Sequence, residues 1–207
     1  MKRAALFLSA AALTGCATVP DESDIALRAQ AAFAGAFAGG DAQILARVEH
    51  QDDVQVQCSK YRNAPPLDVA QLIERTQRAA IRYPIAGGLI GDWKQGNLIA
   101  EDGSGMRYGD NAGRPSGGNC YACHRLTPQE IAYGTVGPSL LGYGVSRGAS
   151  EAMQRLTYER IYNAQAFNAC SAMPRFGHNQ VLTPEQIAHL VALLLDPESP
   201  VNTGKSR

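Results

Sequence analysis

Long apolar runs are missing from this chain: no window is extensive enough for a membrane-spanning helix. An excess charge of one sign is missing too. Nineteen Lys and Arg balance nineteen Asp and Glu, and no basic run occurs. A nucleic-acid surface or an anionic-membrane patch needs such an excess, so neither partner is expected. No internal repeat or low-complexity tract is present. No Ser/His/Asp or Cys/His arrangement is visible, and the glycines near 87 and 103 lack the G-x-G-x-x-G pattern. An independent catalytic site is therefore not expected. Cysteine is scarce, at five in 207 residues, and there is no second C-x-x-C and no H-x-x-H.

What is there begins with Gly118-Asn119-Cys120-Tyr121-Ala122-Cys123-His124, which contains a complete C-x-x-C-H. This is the attachment sequence of a c-type haem. Two thiols must add to the two vinyl groups of one porphyrin, so they stand about one helical turn apart. The histidine follows at once and can reach the iron from the face the thioethers fix. A thioredoxin-like pair or half of a zinc site are the rival readings. The first does not need the histidine, and the second needs more ligands nearby.

The N-terminus reads as a targeting segment. Lys2 and Arg3 form a basic start, and residues 4–13 form a short apolar stretch. Leu13-Thr14-Gly15-Cys16 then resembles a bacterial lipobox, in which cleavage precedes Cys16 and the cysteine carries lipid. Cleavage after Ala17 is the alternative, since Gly15-Cys16-Ala17 is also small-x-small. Either route exports the chain to a bacterial periplasm. Cys58 and Cys170 remain in an oxidising compartment, where a disulfide between them is expected. Two buried free thiols, or one thiol near the haem, are the alternatives.

Residues 25–38 read as an alanine-rich helix with Ile25, Ala29, Ala32, Phe33, Ala36 and Phe37 on one face. Residues 54–58 alternate like a short strand. Asp68 can cap a helix to about residue 82, with Leu72, Ile73, Thr76 and Ala80 roughly on one face. Trp93, Gly96, Leu98 and Ile99 lie in a further helix, and residues 101–118 are irregular. Ser150 can cap a helix to about residue 164, with Met153, Leu156 and Ile161 inward. Thr183-Pro184-Glu185-Gln186 is a capping box that opens a helix with Ile187, Leu190, Val191 and Leu194 inward, and Asp196-Pro197 ends it.

The sixth iron position has six candidate ligands: Met106, Met153, Met173, His50, His178 and His189. Met173 lies in Ala172-Met173-Pro174-Arg175-Phe176-Gly177 just before the last helix. Small class I cytochromes c place their axial methionine, followed by proline, in such a loop. Met153 suits core filling, and His178 is the main competitor. Gly137-Pro138-Ser139-Leu140 resembles the G-P-x-L loop of those cytochromes. That resemblance implies that the Pro138 carbonyl accepts from the His124 ring.

Several blocks are similar to the SoxX family, the monohaem subunits of the SoxAX cytochrome of thiosulfate oxidation. They are Gly91-Asp92-Trp93-Lys94-Gln95-Gly96, the attachment motif, and Tyr133-Gly134-Thr135-Val136-Gly137-Pro138-Ser139-Leu140. Ile161-Tyr162-Asn163-Ala164-Gln165-Ala166-Phe167-Asn168-Ala169-Cys170, Met173-Pro174-Arg175-Phe176-Gly177 and Leu193-Leu194-Leu195-Asp196-Pro197 complete the set. A lipobox departs from the pattern, many members being free periplasmic proteins. The resemblance implies an all-α, class I cytochrome c fold around one covalent haem c over residues 91–201. A mostly helical extension (16–90) and a lipoprotein-type signal peptide (1–15) precede it. Cys120 and Cys123 would bind the haem, His124 and Met173 the iron, and Pro138 would orient His124. The implied role is the redox subunit of an L-cysteine S-thiosulfotransferase. Its implied partners are SoxA, the SoxYZ carrier reached through SoxA, and a small periplasmic cytochrome or similar electron acceptor. A general periplasmic electron shuttle, or a haem sensor lacking a firm sixth ligand, are the alternatives.

Lipidation at Cys16 predicts that the mature protein partitions into detergent and that Cys16→Ser releases it or leaves it unprocessed. A wild-type N-terminus at Thr18, read by N-terminal sequencing, would contradict it.

Overall fold

A computed structural model describes residues 21–39, 46, 50–105, 110 and 115–204. Among these residues the regular structure is helical with no strand, so the all-α expectation holds. No helix among them is long and apolar enough to cross a membrane. The chain divides after Gly39 into two compact units. The first contains α1, Glu22–Ala36. Its expected apolar face is present but open: Ile25 and Phe33 are exposed, and the Phe33 and Phe37 rings lie 5.1 Å apart.

The second unit holds α2 (Asp53–Lys60), α3 (Leu67–Ala79), α4 (Trp93–Glu101), α5 (Tyr143–Arg147), α6 (Glu151–Tyr162), α7 (Pro184–Leu195) and α8 (Pro200–Thr203). Two 3-10 turns, Cys120–Ala122 and Ala164–Ala166, interrupt the loops. The strand expected at residues 54–58 is corrected, since this segment lies inside α2. Asp52 and Gln55 form a reciprocal capping box there, each side chain bonding the other's backbone N–H at 2.9 Å. Helical spacing then buries Val54 and Cys58 on one face and leaves Val56 exposed. The helix expected with Asp68 as its cap starts two residues earlier, with Pro66 at the cap position and Asp68 in its acidic first turn. It buries Ile73 as expected, but Gln77 is buried and Leu72 exposed.

The main core is built on α7. Its residues Ile187, Leu190, Val191, Leu193 and Leu194 are buried, and the Thr183 capping box is complete. α4 crosses α7 so closely that a Cβ at Gly96 would fall 2.1 Å from the His189 carbonyl oxygen. Glycine is required by that approach. The Asp92 amide, which precedes α4, donates to His189 Nδ1 at 2.8 Å. Next to this crossing, Tyr158 and Tyr162 of α6 stack at 6.0 Å, and Tyr83 stacks on Tyr158 at 5.4 Å. Asn202 of α8 accepts from the Gly144 amide and donates to the Leu194 and Asp196 carbonyls, tying α5 to the end of α7.

A second, smaller core joins Val54, Cys58, Ile73 and Ala169. The expected disulfide lies beside it: Cys58 and Cys170 are bonded at 2.08 Å, with Cα atoms 5.6 Å apart. Of the alternatives, neither thiol is free. The bridge spans 112 positions of sequence, so it restricts the unfolded chain over a long loop. Replacing both cysteines with Ala should lower stability to chemical denaturation by about 2–4 kcal/mol. Two thiols at these positions that alkylate in unfolded, unreduced protein would contradict the bridge.

Candidate functional site

The attachment motif enters on Asn119, which has a left-handed backbone (φ 45°) and turns the chain into the 3-10 turn at Cys120. The Cys120 carbonyl accepts from the Cys123 amide at 3.2 Å and the His124 amide at 2.9 Å. The two cysteines therefore bracket a single turn. The Gly118 amide donates to the Ile99 carbonyl at 2.7 Å and the Asn119 amide to the Asp102 carbonyl at 2.9 Å. These bonds fix the motif to the C-terminal end of α4.

Both thiols are free. Cys120 packs against the main core. Burial first, and the neighbouring Cys123 second, push its thiol up to about 12. A redox-active C-x-x-C pair depends on a lowered thiol pKa, so the shift at Cys120 runs the wrong way for thioredoxin-like chemistry. Among the described residues no three His, Cys, Asp or Glu side chains converge in the manner of a metal cage.

The loop from Gly134 to Leu140 runs alongside the motif. Three backbone bonds zip them together: Gly134 N–H to Tyr121 O (2.8 Å), Gly137 N–H to Cys123 O (2.9 Å) and Leu140 N–H to Arg125 O (2.8 Å). His124 Nδ1 lies 2.7 Å from the Pro138 carbonyl oxygen. A carbonyl only accepts, so Nδ1 carries the proton, and in the neutral ring the lone pair is on Nε2. Gly137 permits this contact, since a Cβ there would fall 2.1 Å from His124 Cε1. The arrangement yields an oriented imidazole whose neutral form can donate the Nε2 lone pair to a metal centre.

The other expected ligand, Met173, lies in the loop before α7. It is half-buried and packs against the same core as Cys120 and Tyr121. Its amide donates to Ser171 Oγ at 3.3 Å. Among the remaining candidates, Met153 packs against the core, His189 is engaged at the α4–α7 crossing, and His50 is exposed. Met106 lies outside the described residues. His178 sits near Asp52 and Arg175. Burial first, and the Arg175 charge second, lower its pKa, while Asp52 opposes them.

One group of residues was not anticipated from the sequence. Arg175 is buried, at 5% exposure, and pairs with Asp52. Its guanidinium also reaches Gln77 Oε1 at 3.5 Å, and that oxygen accepts from Asn163 Nδ2 at 2.8 Å. Burial acts to raise the Asp52 pKa, but the Gln55 amide and Arg175 outweigh it and hold the carboxyl below its ordinary value. Its contribution to stability is therefore present above the ordinary carboxylate range and is lost as pH falls through the lowered folded value. The one available signal was a charged residue set between Pro174 and Phe176. Arg125 was also missed: its guanidinium lies over the Tyr133 ring, with Nε buried and unpartnered.

No family model matches the chain. It is similar to an uncharacterized lipoprotein of Aquifex aeolicus (strain VF5), 46% identical over 156 residues that cover 73% of each protein. The chain belongs to that lipoprotein's family.

Gly137→Ala should drive the loop off the imidazole, lowering stability by about 1–3 kcal/mol and shifting the His124 Nδ1–H resonance in NMR spectra. Unchanged stability with an unchanged resonance would contradict the close approach.

Proposed function

We propose that this chain is a monohaem c-type cytochrome that works as the SoxX-like electron-transfer subunit of a SoxAX complex, held at a membrane by lipid on Cys16. The observation that carries the haem reading is the C-x-x-C-H turn whose histidine is oriented through Nδ1 by the Pro138 carbonyl. Cys120 and Cys123 would hold the haem through thioethers. His124 and Met173 would ligate the iron. The residues fit this group in three respects. The histidine's Nδ1 bond leaves Nε2 without a partner in the loop, Cys120 and Cys123 are free thiols that bracket a single turn, and the Arg125 Nε is an unpartnered buried donor next to His124 in sequence. When bound, the haem supplies one-electron oxidation and reduction, with a potential raised by thioether ligation relative to two histidines.

The chain's own contribution is orientation. Pro138 fixes the imidazole plane, the zipped loop from Gly134 to Leu140 holds Pro138 in place, and α4, packed on α7, holds the motif at its C-terminal end. In the proposed pathway, SoxA joins thiosulfate to a SoxYZ cysteine. A thiol and thiosulfate give the sulfur–sulfur bond, one proton and two electrons, which this chain would pass singly to a small periplasmic cytochrome. The SoxX assignment rests on the sequence blocks named above, chiefly residues 161–177. The lipid anchor is supported by Leu13-Thr14-Gly15-Cys16 and by the lipoprotein name of the Aquifex aeolicus relative. That segment lies outside the described residues.

Alone, the protein should be redox-active yet should not couple thiosulfate to a carrier thiol. With SoxA it should co-purify, and rapid mixing with thiosulfate and carrier should reduce its haem. Failure to bind SoxA, together with fast reduction by unrelated periplasmic donors, would replace this reading with a general electron shuttle.

A further inference from the structure

We infer that Asp52 and Arg175, with Gln77 between them and Asn163, are positioning residues that clamp the Met173 loop. This inference rests on the reading of Met173 as axial ligand given above. Met173 lies between two fixed points. Cys170, three residues before it, is covalently bound to Cys58. Arg175, two residues after it, pairs with Asp52. Both fixed points end on α2, one at its N-cap and one near its C-terminus. A single short helix therefore grips the methionine turn from both sides.

Asp52 is suited to the task because its two oxygens have separate duties. Oδ1 accepts from the Gln55 amide and caps α2, while Oδ2 faces Arg175. The cap holds the carboxylate in place before it meets the guanidinium. α3 completes the grip: Gln77 Oε1 accepts from Arg175 and Asn163, and Arg78 donates to the Ala166 carbonyl at 2.7 Å while lying over the Phe167 ring at 4.4 Å. Stability alone explains such a pair poorly. The guanidinium is 5% exposed and loses most of its hydration, while the carboxylate is 43% exposed and keeps much of its own, so the net gain in stability from their attraction is small. What the pair supplies is direction, since a forked, charged group fixes the loop backbone more tightly than apolar packing does. An axial methionine needs that constraint because thioether sulfur is a weak ligand for ferric iron and must be held at the metal.

Imidazole displaces an axial methionine only after the sulfur leaves. Its saturating entry rate into the oxidised, haem-loaded full chain therefore reports how firmly the loop is held. Asp52→Asn keeps a good N-cap side chain and removes the charge facing Arg175. Its entry rate should rise about tenfold or more over wild type. Arg175→Met should do the same, and if it fails to fold, Asp52→Asn still decides. Asn202→Ala, which breaks the tie between α5 and α7, should lower stability without changing the rate. Wild-type entry rates in Asp52→Asn, or an equal rise in Asn202→Ala, would overturn the clamp alone. Entry into wild type as fast as into Met173→Ala would remove Met173 from the iron, and the inference with it.

Discussion

A ring nitrogen facing a carbonyl oxygen has one chemical option, which is to donate. The bond between His124 Nδ1 and Pro138 fixes a proton on Nδ1, so that the neutral ring has its lone pair on Nε2, and much of the site keeps that bond in place. Gly137 removes the side chain that would collide with the imidazole. Three backbone bonds keep the loop beside the motif, and the motif is itself tied to the end of α4. α4 in turn reaches its position through a helix crossing that tolerates no side chain at Gly96. The geometry of one imidazole thus depends on glycines in two distant segments of the chain.

The Met173 loop is built differently. There the chain before α7 has little regular structure, and its order comes from cross-links: one covalent to α2, one ionic to the N-cap of α2, and two hydrogen bonds to α3. The helix pair has no chemical motif of its own, yet it supplies Cys58, Asp52, Gln77 and Arg78. Its place is best understood through the loop it touches.

Local chemistry was legible where a few adjacent residues determine the outcome. The capping box at Thr183, the Ser150 cap and the period of α7 are of this kind. So was the Cys58–Cys170 bridge, because the other cysteines have separate assignments. Legibility ended where a partner lies far along the chain. The alternation of Val54, Val56 and Cys58 suggested a strand, but the Asp52–Gln55 box made a helix, and that signal straddled the edge of the segment. Arg175 has its ionic partner 123 residues away, and no local pattern reveals such a pair. Gln77 reads as a surface residue of an amphipathic helix, but it is buried because two donors from elsewhere converge on its carbonyl. The Pro138 contact was expected from a resemblance and is present in the structure, while the haem and the SoxA partnership remain proposals.

Covalent attachment of a haem to this turn of chain is the central claim. The most direct measurement is the mass of the denatured mature protein purified from a host that attaches c-type haem. The predicted result is one haem added to each chain, located by peptide mapping at Cys120 and Cys123 and retained through acid–acetone extraction. A chain of unmodified mass with both cysteines alkylatable, or a haem lost to the acetone, would contradict it.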